Sequence, residues 1–156
     1  MGFMDRVSRV MAGSAVQPAA AGPLSRAYIE CKRRAEQLLR HADMAPQAYS
    51  IEGLRALAEA EEAQAGRLRE ALHAHGASIP AVTPPVVSGA ASHWGRLVQD
   101  LEAHRRSVQE LRETAMHLAE DLPDLSRLFD QLCSEDMVHC ERLRALIARA
   151  DPQADD

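Results

Sequence analysis

The stretch Leu125-Ser-Arg-Leu-Phe-Asp-Gln-Leu132-Cys-Ser-Glu-Asp136-Met-Val-His139-Cys-Glu-Arg-Leu143-Arg-Ala-Leu146 carries its apolar residues at steps of three and four. Leu125, Leu128, Phe129, Leu132, Leu143 and Leu146 therefore fall on one face of a single helix, which the sequence predicts from Pro123 to about Ala150. Asp136 and His139 complete that stripe in its middle, where core side chains are expected. Burying a charge costs several kcal/mol unless it is paired or bound to a metal. This helix therefore carries both a core face and a chemical question.

Three further stripes lie upstream. Leu24, Ala27, Tyr28, Cys31, Ala35 and Leu38 predict a helix from Pro23 to Ala42, broken at residues 43–45. Pro46 suits the first turn of a second helix. That helix runs to about His75 with Leu54, Leu57, Ala58, Glu61, Ala65, Leu68 and Leu72 in line, and Gly76 is positioned to cap its end. A third, from about Ala90 to Asp121, carries Trp94, Leu97, Leu101, Val108, Leu111, Ala115 and Leu118, with Trp94 read as an anchor at its start. Helices one and two, and three and four, are joined by a few residues and must be antiparallel. Between helices two and three, residues 76–89 contain Pro80, Pro84 and Pro85. About 14 extended residues reach roughly 45–50 Å, enough to traverse a helix of about 42 Å. The expected fold class is all-α, a four-helix bundle with one long crossover between helices two and three.

Composition agrees. Apolar residues make up 46% of the 156 and aromatics only 3%, which favours helices over sheets. A net charge of −5 with dispersed basic residues argues against nucleic acid as a partner. Cys31, Cys133 and Cys140 are odd in number. The last two lie two helical turns apart, too far to bridge, so a reducing cytoplasm is expected. No signal peptide and no membrane span are read from the sequence.

The two halves echo each other at an offset of 75, which pairs Leu57 with Leu132, Glu61 with Asp136, Gln64 with His139, and Arg67-Leu-Arg69 with Arg142-Leu-Arg144. The segment Leu57-Ala-Glu-Ala-Glu61-Glu-Ala-Gln64-Ala-Gly-Arg-Leu68 resembles the second helix of rubrerythrin- and bacterioferritin-type proteins of the ferritin-like superfamily. Asp136-Met-Val-His139 with Glu141-Arg-Leu143 is similar to their fourth-helix copy. Residues 97–106 resemble the third helix, and the run from Cys31 to His41-Ala42 the first. The likeness spans about residues 23–150. It implies a ferritin-like bundle whose di-iron ligand positions fall on Cys31, Glu61, Gln64, His104, Asp136 and His139. Only Glu61 and His139 keep the family's residue. Glu30 is the neighbouring alternative to Cys31, which the stripe favours; Arg105 is the alternative to His104, and the stripe does not separate these two.

At most two of the family's four carboxylates survive, so an ordinary ferroxidase centre is not expected. Two states of Cys31, Glu61, His104, Asp136 and His139 stay open. They can form a mixed site for one zinc, iron or copper ion. Alternatively they form a metal-free cluster in which Glu61 and Asp136 pair with Arg105, His104 or protonated His139. Cys133 and Cys140 read as core thiols; His41, His73, His75, His93 and His117 read as solvated or capping groups. Residues 1–22 read as a short amphipathic segment and flexible tether. Residues 1–12 of it are a candidate contact for a protein partner or a membrane surface. Residues 151–156 read as an acidic tail. The functional expectation is a ferritin-like binding, assembly or structural module, a homodimer by resemblance. An iron-handling oxidoreductase and an adaptor docking through its N-terminal segment are the alternatives.

Overall fold

A computed structural model describes residues 18–86 and 92–150. Four helices account for most of them: α1 (Pro18–Asp43), α2 (Ala48–Ala74), α3 (His93–Leu118) and α4 (Pro123–Ala150). No strand occurs among the described residues. Helix α1 begins five residues earlier than the stripe predicts, because Ala19-Ala20-Ala21 are strong helix formers and Ala20 is buried. Residues 18–22 are therefore helix and not tether. Pro23 sits inside the helix, where it removes one backbone hydrogen bond near the first turn. The expectations placed on residues 1–17 and 151–156 lie outside the described residues.

The ends are set by local chemistry. Ser92 caps α3, its hydroxyl accepting from the Gly95 N–H at 2.9 Å. Helix α2 begins after Gln47, two residues later than Pro46 suggests. It closes in a Schellman turn, with Gly76 N–H on His73 O at 3.0 Å and Ala77 N–H on Leu72 O at 2.9 Å. Gly76 takes φ 69° there, a conformation costly for any residue with a Cβ.

Two helical hairpins, α1–α2 and α3–α4, pack face to face. Tyr49 Oη donates to Arg149 O at 3.1 Å, while Arg67 near the other end of α2 meets Glu135, so α2 and α4 are antiparallel. His41 near the end of α1 meets Asp100 in the second turn of α3, and Pro23 lines the same groove as His117. Helices α1 and α3 are thus also antiparallel, which makes α2 and α3 parallel. Their starts touch directly, through His93 Nε2 and Ser50 Oγ at 3.1 Å. From the end of α2 the described residues run back to the end of α1, where Arg40 Nη1 donates to Pro85 O at 3.3 Å. The expected single crossover is present.

The core is split. One apolar cluster gathers Leu24, Leu68, Leu72, Leu111, Leu118, Leu125, Phe129 and Leu132. Leu38, Leu54, Leu57, Leu97, Leu101, Leu143 and Leu146 form another. Each buried leucine contributes on the order of 1.5–3 kcal/mol. Between the clusters, one polar layer crosses all four helices. Trp94 does not anchor α3 in this core; it is 43% exposed.

Candidate functional site

The polar layer is built from Cys31 and Arg34 on α1, Glu61 and Gln64 on α2, His104 and Ser107 on α3, and Asp136 and His139 on α4. All are buried, with Glu61, Gln64 and Asp136 at 0% exposure. Each lies on its helix's apolar stripe at the same height, so packing the hydrophobic faces together forces these groups to meet. The structure brings together the five expected residues Cys31, Glu61, His104, Asp136 and His139. It also separates the paired alternatives: Glu30 is exposed and faces Arg33 at 3.7 Å, and Arg105 is exposed and bound to Glu102 at 2.8 Å.

The cation of the layer is Arg34. Its Nη2 donates to Glu61 Oε2 at 2.8 Å and its Nε to the same oxygen at 3.1 Å. The same Nη2 lies 3.5 Å from Asp136 Oδ2 and 3.4 Å from Cys31 Sγ. Of the partners expected for Glu61 and Asp136, His104 and His139 are in place, and Arg34 stands where Arg105 was the third candidate. Position 105 lies one residue past the inward position of α3 and turns to solvent, whereas Arg34 follows Cys31 by three and precedes Leu38 by four. That spacing puts Arg34 on the stripe and was the signal that could have found it.

Glu61 Oε1 is shared by two imidazoles, His104 Nε2 at 3.0 Å and His139 Nδ1 at 3.2 Å. The rings meet edge to face with centroids 5.6 Å apart. His104 Nδ1 donates to the Asp100 carbonyl at 2.8 Å, so Nε2 is the nitrogen left for Glu61. A carboxylate oxygen at that distance is met by an N–H or by an ion shared between the two atoms. Gln64 closes the layer: its Nε2 donates to Asp136 Oδ1 at 3.0 Å and Glu135 Oε2 at 3.2 Å, and its Oε1 accepts from the Cys31 thiol at 3.6 Å.

The electrostatics follow from this geometry. Burial alone would raise Glu61, but Arg34 and the hydrogen bonds from His104 and His139 overcome it and hold the carboxyl below the usual range. Asp136 is lowered against burial in the same way, by His139 and Arg34. Burial opposes a charge on His139, yet Asp136 and Glu61 push its pKa up to about 9. Burial pushes the Cys31 thiol up despite Arg34, which favours the protonated thiol in the metal-free layer. Cys133 and Cys140 are buried free thiols, as expected of core residues.

Glu61, His104 and His139 each offer one ligand atom, and these atoms lie within 4.8 Å of one another, a possible metal-binding triad. Compared with known proteins, the sequence matches no family model and no curated protein. The site's chemistry therefore has to be read from its own residues. A groove of about 700 Å³ between α1 and α3 has Cys31, Arg34 and Ser107 in its lining, and gives the layer its approach from solvent.

One histidine was placed wrongly by the sequence. His41 is fully buried rather than solvated, its Nδ1 lying 2.7 Å from Asp100 Oδ2. The spacing Arg34, Leu38, His41 puts it on the same stripe, although it stands close to the helix end. Of the other four, His73 and His117 are exposed, while His75 and His93 are half-buried. Among the described residues no helix is long and apolar enough to cross a membrane.

Proposed function

We propose that the chain is a ferritin-like bundle whose interior no longer serves oxygen chemistry, and that it acts through its surfaces as a binding, assembly or structural module. The observation that carries this reading is the Arg34 guanidinium lying against both Glu61 and Asp136. A di-iron centre in such a bundle needs four carboxylates and two histidines, contributed as single glutamates and Glu-x-x-His pairs. Here the corresponding layer has two carboxylates, a glutamine at position 64, a thiol held protonated at position 31, and a fixed positive charge among them. The residues do not fit two irons. Without any ion, Glu61 and Asp136 already have partners in Arg34, protonated His139 and the His104 ring at Glu61 Oε1. The long crossover and the sequence resemblance support the ferritin-like assignment.

A surface role is supported by apolar residues that the bundle leaves uncovered: Met116, Met137 and Val138 on α3 and α4 are at least half exposed or nearly so. A homodimer formed through such outer helix faces is the simplest assembly, and three free thiols suit a reducing cytoplasm.

A second reading is favoured by the convergence of Glu61, His104 and His139. Two histidines and one carboxylate are a recurrent set for zinc or non-haem iron. Arg34 would then remain on Glu61 Oε2 while Oε1 faced the ion, and His139 would give up its proton.

The test is metal content by elemental mass spectrometry on untagged protein, with oxygen uptake after Fe(II) addition. Both are measured on wild type and on Glu61→Ala/His139→Ala. The expected result is oxygen uptake no faster than buffer and no metal that depends on Glu61 and His139. Two irons per chain lost in the variant would overturn the proposal. A single zinc or iron lost in the variant would establish the second reading.

A further inference from the structure

One edge of the Arg34 guanidinium is spent inside the mid-bundle layer: Nε and Nη2 donate to Glu61 Oε2, and Nη2 also approaches Asp136 and Cys31. Nη1, on the other edge, has no protein partner among the described residues. The side chain is 9% exposed and lines the groove of about 700 Å³ between α1 and α3. Buried donors almost always find a partner, so a fixed, charged donor stands ready for whatever fills the groove. Of the other buried polar groups in that wall, Ser107 gives its hydrogen to Asp136 and Cys31 its own to Gln64. Away from Arg34 the groove turns apolar. Ala27 precedes Arg34 on α1 by two helical turns, about 10 Å, and Pro23 lies one turn further. Leu111 of α3 and Phe129 of α4 complete this stretch of wall. The rim carries Arg26 and Arg106 against Glu30, Glu110 and Glu113, and so offers no surplus of positive charge to a polyanion.

We propose that this groove binds a small monocarboxylic acid with an apolar body, its carboxylate on Arg34 Nη1 and its body along Ala27, Leu111 and Phe129 toward Pro23. Small-molecule sites are concave, largely apolar, and oriented by a few placed polar groups, at volumes of about 300–1,000 Å³. A guanidinium held rigidly by its inner edge presents its remaining N–H groups in a fixed direction, which suits a planar carboxylate. Glu61 and Asp136 lie behind that inner edge and offset much of the charge of Arg34. The ligand therefore gains a charge-assisted hydrogen bond rather than a full ion pair. A phosphate monoester, carrying close to two negative charges, would meet the three rim glutamates with too little positive charge to hold it. The inference goes beyond the surface role proposed above. It stands in either reading of the layer, because Arg34 keeps Glu61 Oε2 with or without an ion.

The probes are 4-phenylbutyrate and octanoate, each paired with its uncharged amide. Full-length, nitrogen-15-labelled protein is titrated with them by heteronuclear NMR, as wild type, as Arg34→Lys and as Thr114→Trp. Lysine keeps the charge but loses the fork that reaches both edges, and tryptophan at the half-buried Thr114 fills the groove from its α3 wall without touching the layer. The expected result is saturable binding of at least one acid to wild type, with shifts in the Arg34 Nε–H signal and in the amides around Ala27 and Leu111. The amide and Arg34→Lys should each weaken binding roughly tenfold or more, the loss of one charge-assisted hydrogen bond, and Thr114→Trp should abolish it. Should Arg34→Lys fail to fold, the amide comparison and Thr114→Trp decide. No saturable binding of either acid, equal affinity for acid and amide, or unchanged binding by Thr114→Trp would each overturn the proposal, and water would then be the partner of Arg34 Nη1.

Discussion

At position 34 the chain holds a guanidinium within the bundle, and its removal leaves Glu61 and Asp136 without their fixed counter-charge. Arg34→Met should therefore cost on the order of 3–5 kcal/mol in urea unfolding, the usual penalty for orphaning one side of a buried ion pair. Arg34→Met combined with Glu61→Gln should recover a good part of it, because the second change removes the orphaned charge. His139 gives the layer a pH signature. Its pKa is raised from 6.5 to about 9, so its contribution is complete below pH 6.5 and is lost as pH rises through 9, on the order of 3 kcal/mol. Glu61 and Asp136 are lowered, so theirs is present above the ordinary carboxylate range and fades as pH falls below it. Stability should peak between about pH 5 and 6.5. A His139→Gln variant should lose the alkaline limb in thermal melts between pH 6 and 9. Glu61, Asp136 and His139 were legible in the sequence because they interrupt clear apolar stripes. Arg34 and His41 lie on a stripe too, but long or terminal polar residues are so often solvated that spacing alone did not draw them in.

At the level of the helix, the boundaries follow caps more faithfully than hydrophobic periodicity. Gly76 was legible as a cap because glycine after a periodic run has few other uses. Gly76→Ala should cost about 1–2 kcal/mol through its positive φ alone, read as a fall in melting temperature with the helical spectrum intact. The apolar pattern of α3 fades toward the crossover and does not mark Ser92; its hydroxyl, accepting from Gly95 N–H, nevertheless fixes the start at His93. The early start of α1 was hidden by Pro23 and Gly22, which read as a boundary. Ala19 to Ala21 restore the helical preference on the far side, and the burial of Ala20 and Leu24 holds the turn in place.

At the scale of the bundle, the four helices of the described residues and the single crossover follow from loop lengths and the span of a helix. These are geometric constraints that tertiary packing cannot relax. The layered interior was less legible, since which polar residues meet depends on how far one hairpin slides along the other. The layer itself fixes that slide: a shift of one turn would carry Arg34 and Glu61 together away from His104, Asp136 and His139. The hairpin arrangement has a further consequence for folding. In the mid-bundle layer the α1–α2 hairpin carries Arg34 with Glu61 and the α3–α4 hairpin carries Asp136 with His139, so those charges have a partner before the halves meet. Asp100 gains His41 and Gln37 only when the hairpins dock, and the crossover supplies proximity. A chain cleaved within residues 78–84 would keep everything needed for its two fragments to find each other and reassemble as a bimolecular reaction.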